Sequence, residues 1–336
     1  MLRVMRAYEN IAEEERGNGV YMTRYAEMIR GMFEATEKER LESYDTSITG
    51  RTDIERLEGI QYGEDEIWNT LDIYRPLSQH GRKLPVIVNV HGGGWIFGSK
   101  DNYRYYCEIL AAGGYAVINF NYRLVPAGYF PAPVEDLNKV IHWILKNGQH
   151  FLLDTEHISG VGDSAGAHTL AMYAAMCVNR EYAARFSFEV PQKQIFDSLI
   201  LNCGVFDSNF TCRKTDFVRV LVCEYLHVEN KEKENMSIEE YRKNYEEALE
   251  LFDFTAFLTH NFPNTLLTTA ENDFVKMHSA KLMKKFVEKN VKAELKMYVS
   301  KREKLGHVFN IDLKLEEAQK CNDEALRFLE AGKQEK

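Results

Sequence analysis

From about Thr70 onward, short apolar runs alternate with amphipathic ones, and few folds accommodate that alternation. "LPVIVNV" (Leu84–Val90) and "YAVINFNY" (Tyr115–Tyr122) are rich in β-branched and aromatic residues and read as strands. Between them "NYRYYCEILAAGG" reads as a helix closed by Gly113 and Gly114. In "VEDLNKVIHWILKNG" Val134, Leu137, Ile141 and Ile144 share one stripe, with Gly148 as the stop. The strand "HISGVG" runs straight into the helical "AGAHTLAMYAAMCV". Three more strands follow: "SLILNCG", "TLLTTA" and "AELKMYVS", the last two separated by the helix "VKMHSAKLMKKFVEKN". Strands apolar on both faces, each followed by a helix, predict an α/β fold with a mainly parallel sheet covered on both sides.

Two stretches depart from this texture. Residues 1–65 are rich in charge and Met, and "YMTRYAEMIRGMFEATEKERLE" has helical spacing, with Tyr21, Tyr25, Met28 and Met32 on one face. Residues 205–263 carry "KEKEN" and the polar helical "SIEEYRKNYEEALELF" and no strand pattern. A solvated face accounts for the charges. An insertion of this length between core strands predicts a helical cap over one end of the sheet. The catalytic core is then 66–204 with 264–336, and "NTLDIYRP" is its first strand.

Composition removes several functions. A net charge of −9 over 336 residues argues against nucleic-acid or anionic-membrane partners. Runs such as "AVINF" are far too short to span a bilayer. The six cysteines form no CxxC pair and no HExxH is present, so neither a disulfide framework nor a metal site is expected. Arg3, Arg6, Glu9 and Glu13 interrupt any apolar leader segment, and a cytoplasmic location is the expectation.

Chemistry concentrates in "ISGVGDSAGAHTL", where Gly162, Ser164 and Gly166 form G-x-S-x-G at a strand-to-helix junction. There a serine sits on a tight turn at the sheet's carboxyl edge, and the next helix's N-terminus favours developing negative charge. "GVGDSAG" also approaches a dinucleotide fingerprint. Its glycines, however, are spaced G-x-G-x-x-x-G, and no ribose-binding acid follows about twenty residues on. A serine nucleophile needs a base, and the chain has ten histidines. His142 and His168 fall inside helices and read as structural. His307, in "REKLGHVFN", follows the last strand, at the edge where such sheets present chemistry. The orienting acid belongs between them in chain order, and "TTAENDFVKMHS" offers Asp273, with Glu271 as the alternative and helix capping as Asp273's other role. Acyl transfer also needs fixed N–H donors for an oxyanion. The bare glycines of "HGGGW" (His91–Trp95) can turn theirs toward that point, and the amide of Ala165 adds another. His91 and Trp95 read as anchors of this loop.

Taken together, "HGGGW", "NYRLVPAGYFPAPVEDL", "GDSAG", "TLLTTAENDFV" and "GHVF" resemble, in order, the hormone-sensitive lipase-like branch of the α/β-hydrolase superfamily. The resemblance runs from about Leu71 to the C-terminal helix. It implies the α/β-hydrolase fold, with Ser164 as nucleophile, His307 as base and Asp273 as acid. It also implies oxyanion donors Gly93, Gly94 and Ala165, no cofactor, and an N-terminal helical segment that joins the insertion in the cap. The chain differs from the family's pattern in having Phe274 where proline usually follows the acid, and Val-Pro-Ala where Ala-Pro-Glu is common after "YRL". The function so implied is a serine carboxylesterase for short, acetyl-type esters. An amidase such as an aryl formamidase, or a non-catalytic ligand-binding protein, is the alternative on the same scaffold. The expected partner is a small-molecule ester, and a homo-oligomer is left open. Phe206, Phe210, Phe217 and Tyr225 are candidates either to line the pocket or to form the cap's own core.

Overall fold

Along Leu84–Val90, alternate side chains enter different cores. Val86, Val88 and Val90 pack on one side of the sheet with Leu137, Leu170 and Met172, and Ile87 packs on the other with Tyr106, Leu110 and Leu329. The strand is therefore buried on both faces, as its unbroken apolar run requires. The computed structural model describes residues 22–44, 51–207, 217–227 and 238–333.

In chain order the elements are α1 (Arg24–Glu42), β1 (Ile54–Gln61), β2 (Thr70–Pro76), β3 (Leu84–Val90), α2 (Arg104–Ala112), β4 (Ala116–Phe120), α3 (Ala132–Asn147), β5 (Leu153–Asp163) and α4 (Ser164–Val178). Then come β6 (Phe196–Asn202), α5 (Phe217–Tyr225), α6 (Ile238–Phe252), β7 (Asn264–Ala270), α7 (Lys276–Glu288), β8 (Ala293–Tyr298) and α8 (Glu316–Lys333). One eight-stranded sheet runs β1-β2-β4-β3-β5-β6-β7-β8. Its first two pairings are antiparallel and all the others parallel. The chain leaves β3 toward β4 on one side and leaves β5 toward β6 on the other. The carboxyl ends of β3 and β5 thus flank a crevice at the reversal of strand order, which is where open α/β sheets hold their ligands.

Two expectations change. The sheet begins at Ile54, inside the stretch read as a helical N-terminal segment ending at 65. "IERLEGIQ" hides its strand character because β1 is an edge strand with mostly half-exposed and exposed positions, so charged residues replace the apolar alternation. The buried row of α1 is also displaced by one residue. Met22, Ala26 and Ile29 are buried, with Phe33 packed beside them, whereas Met32 is exposed and Tyr21 lies outside the described residues. Ala26 is fully buried in the neighbouring cluster, whereas Tyr25 is half-buried and packs at its margin, so the centre of the row falls on the methyl side chain.

That cluster joins the insertion to the core. The amide and hydroxyl of Thr23, the N-cap of α1, donate to the Glu224 carboxylate of α5 at 3.1 and 2.8 Å. Trp95 is fully buried between the two parts. It stacks on Tyr225 of α5 (centroids 4.5 Å apart, planes 2° apart), meets Phe252 of α6 edge-on at 5.7 Å, and donates from Nε1 to Thr169 Oγ1 of α4 at 3.1 Å. Trp95→Ala should therefore cost about 3–5 kcal/mol, the range for deleting a large buried aromatic. A urea titration should show a lowered midpoint with little change in slope.

Candidate active site

Ser164 is the first residue of α4 and directly follows β5, with φ +51°. A non-glycine residue held in the left-handed region costs free energy, and close packing around it holds it there. A Cβ on Gly166 would lie 2.1 Å from the Val90 carbonyl oxygen and 2.4 Å from that of His91. One on Gly162 would meet the Gly166 carbonyl at 2.9 Å. The turn therefore presses backbone to backbone against the end of β3, which glycines alone permit.

His307 and Asp273 arrive from the far end of the sheet. The Ser164 hydroxyl donates to His307 Nε2 at 2.8 Å, and His307 Nδ1–H donates to Asp273 Oδ1 at 2.7 Å. Asp273 stands just beyond β7, buried, and accepts two more bonds: the Val275 amide at 3.0 Å and the Thr269 hydroxyl at 2.7 Å. Burial alone would push its carboxyl up, but His307, Val275 and Thr269 together hold it below the ordinary carboxylate range. An ionised Asp273 keeps the proton on Nδ1 and leaves the Nε2 lone pair facing the serine. Glu271, the alternative acid, engages through its backbone instead, its amide donating to Tyr298 and its carbonyl accepting from Lys276 Nζ. Asp273 does not take the capping role: the N-cap of α7 is Val275, which no side chain caps, and the bond from the Val275 amide to Asp273 belongs to the turn before the helix.

Cys203 lies close by, with its sulfur within 4.8 Å of the Asp273 and His307 ligand atoms. Burial and the Asp273 charge push its thiol pKa well up, so it is a neutral S–H. Nothing in the sequence pattern pointed to it, because β6 meets β7 only through the sheet.

The glycine loop abuts the serine turn. Gly93 and Gly94 both have positive φ, at +121° and +62°, and the loop closes on itself through Phe97 N–H to the Gly93 carbonyl at 3.0 Å. A Cβ on Gly92 would reach 2.3 Å from Asp163 Oδ2, beside the serine. One on Gly94 would reach 2.8 Å from Leu221 of α5, so the insertion lies directly over the loop. Among the described residues the amides of Gly93, Gly94 and Ala165 donate to no protein acceptor. His91 is buried, stacked on Tyr122 at 4.1 Å, with Nδ1–H donating to the Gly92 carbonyl at 2.8 Å. Burial lowers its pKa to about 4, which keeps it neutral. His168, likewise buried and lowered to about 3, donates from Nε2 to the Phe252 carbonyl at 3.0 Å and ties α6 to α4.

Of the four pocket candidates, Phe206 and Tyr225 are buried in packed clusters, Phe217 is half-buried, and Phe210 lies outside the described residues. A cavity of about 500 Å³ lined by Leu41, Glu58, Asp72, Tyr74, Lys100 and Tyr105 sits by the β1–β2 edge and contains none of the three hydrogen-bonded residues.

One carboxyl braces both halves of the site. Asp163 accepts from the Tyr103 hydroxyl at 2.7 Å, and that hydroxyl accepts from the Gly92 amide at 3.0 Å. Full burial pushes the Asp163 carboxyl up from 3.8 to about 7, despite the Tyr103 bond. Between those values the folded chain keeps a proton that the unfolded chain has released, so this group removes stability as pH rises through that window. Asp163→Asn lacks that dependence. Relative to wild type, its urea midpoint should climb from about pH 4 to about pH 7 and then hold level. A pH-independent difference would mean that Asp163 is ionised throughout.

Comparison with known proteins gives this geometry a setting. An esterase of Gibberella moniliformis is 30% identical over 150 residues, 44% of this chain and 46% of that protein. The versiconal hemiacetal acetate esterase of Dothistroma septosporum is 34% identical over 110 residues, 32% of this chain and 33% of that protein. The matched segments thus span between a third and a half of these curated relatives. In three dimensions, esterase B from Lactobacillus rhamnosis superposes with a TM-score of 0.79 at 23% identity, covering 93% of this chain and 95% of that one. A hyperthermophilic esterase from the archaeon Pyrobaculum calidifontis does so at 0.65 and 20%, covering 98% of each. Both share the α/β-hydrolase fold. No helix among the described residues is long and apolar enough to cross a membrane. The profile of the BD-FAE family matches residues 71–286, more than half of the sequence, and the chain belongs to that family of α/β-hydrolase esterases.

Proposed function

We propose that the chain is a serine carboxylester hydrolase for short, acetyl-type esters, working through an acyl-enzyme. The observation that carries this reading is the unbroken hydrogen-bond chain from Asp273 through His307 to Ser164. Ser164 Oγ attacks the ester carbonyl carbon while its proton passes to His307 Nε2, and Asp273 stabilises the resulting imidazolium. The carbonyl oxygen takes the negative charge and is met by the N–H groups of Gly93, Gly94 and Ala165. Collapse expels the alcohol, which takes the proton from His307. Water then attacks the acyl-enzyme by the same route and frees the acid.

The cap belongs to the same proposal: α1, with α5 and α6 of the insertion, covers the carboxyl end of the sheet. The Thr23–Glu224 bonds and the contact of Leu221 with Gly94 support it. Close quarters over the glycine loop favour a small acyl group, and the Dothistroma relative is named for an acetate. Five buried free cysteines among the described residues support a reducing, cytoplasmic setting.

Ser164→Ala should abolish hydrolysis of an acetyl ester and fluorophosphonate labelling while leaving the denaturation curve in place; a folded, active variant would sink the assignment. Asp273→Asn should lower kcat by about 10⁴, as the wrong histidine tautomer does elsewhere, whereas Glu271→Gln should not. Gly94→Ala strains a positive φ and pushes on Leu221, so it should cost about 10²–10³ in kcat, the loss of one oxyanion donor. Faster turnover of the matching anilide than of the ester would favour the amidase reading.

A further inference from the structure

An aromatic rim connects the base to the glycine loop. Phe274, next in sequence to Asp273, lies with its ring centroid 4.3 Å from that of His307 and a 39° tilt. Phe217 of α5 meets Phe274 edge-on at 5.4 Å, Phe33 of α1 meets Phe217 edge-on at 5.7 Å, and Phe33 packs on Phe97 of the glycine loop at 5.9 Å. Four separate chain segments thus contribute one side chain each. Phe274 is nevertheless 55% exposed. An aromatic ring kept this open beside a reactive imidazole, and joined to further rings, has the character of a ligand-contact surface.

The chemistry fixes which part of a substrate meets it. The leaving oxygen must come within hydrogen-bond reach of His307 Nε2 to take its proton, so the alcohol's substituents pass the groups that flank the imidazole. Phe274 is such a flanking group. Resting on the esterase reading above, we infer that Phe274, backed by Phe217, forms a leaving-group subsite that selects esters of alcohols bearing a flat apolar group.

The test compares benzyl acetate, ethyl acetate and ethyl phenylacetate, which place the ring on the alcohol, nowhere, or on the acyl group. The wild type should prefer benzyl over ethyl acetate. Phe274→Ala and Phe274→Pro should cut that ratio about tenfold, the scale of one good aromatic contact, mainly through KM. Phe274→Tyr should restore it. Fluorophosphonate labelling of each variant reports separately whether the Ser164–His307 pair is intact. An unchanged ratio, an equal loss on all three esters, or a loss confined to ethyl phenylacetate would each overturn the inference, the last by moving the ring to the acyl side. Wild-type protein that neither hydrolyses these esters nor labels would instead overturn the esterase reading on which the inference rests.

Discussion

The site depends on one packing constraint: the serine turn is pressed against the end of β3 with no room for a Cβ at 92, 162 or 166. That contact holds Ser164 in the left-handed region and sets the glycine loop beside it. Relaxing the turn would move the hydroxyl, the Ala165 amide and the loop amides together, because they share one wall of backbone. The strain at Ser164 is held at the junction of two central strands with a helix buried from Ser164 to Cys177.

A second layer keeps this arrangement closed to water and charge. Trp95, Tyr225, Phe252 and His168 make one aromatic cluster that links the glycine loop, the insertion and α4. Its histidine stays neutral because burial makes the imidazolium costly. His91 stays neutral for the same reason. His307 differs through its neighbours: it meets a carboxylate on one nitrogen and a hydroxyl on the other, where His91 and His168 each donate to a backbone carbonyl. Position within a hydrogen-bond chain separates a candidate base from two structural imidazoles.

Much of this was legible in the linear chain. β3 and β7 are visible as apolar runs because both of their faces are buried. β1 was not, since an edge strand with exposed positions keeps its charges. The face of α1 was misplaced by one residue because large side chains were counted as the buried ones, whereas small Ala26 lies at the centre of the buried row. At the site, G-x-S-x-G and "GHVF" marked two of the three residues that the structure brings together. The choice between Asp273 and Glu271, two positions apart, depends on which side chain turns toward His307 after β7.

What the sequence determined by itself was local: periodicities of two and 3.6, glycines where no side chain fits, and a serine flanked by them. These are written in neighbouring residues, so they can be read without a partner. Only the tertiary structure decided that Cys203 sits beside the acid, that Asp163 and Tyr103 brace the Gly92 amide, and that Phe33, Phe97, Phe217 and Phe274 form one rim. Each of these joins segments far apart in the chain. Such contacts follow from strand order and from how helices cross the sheet, which no short stretch of residues encodes.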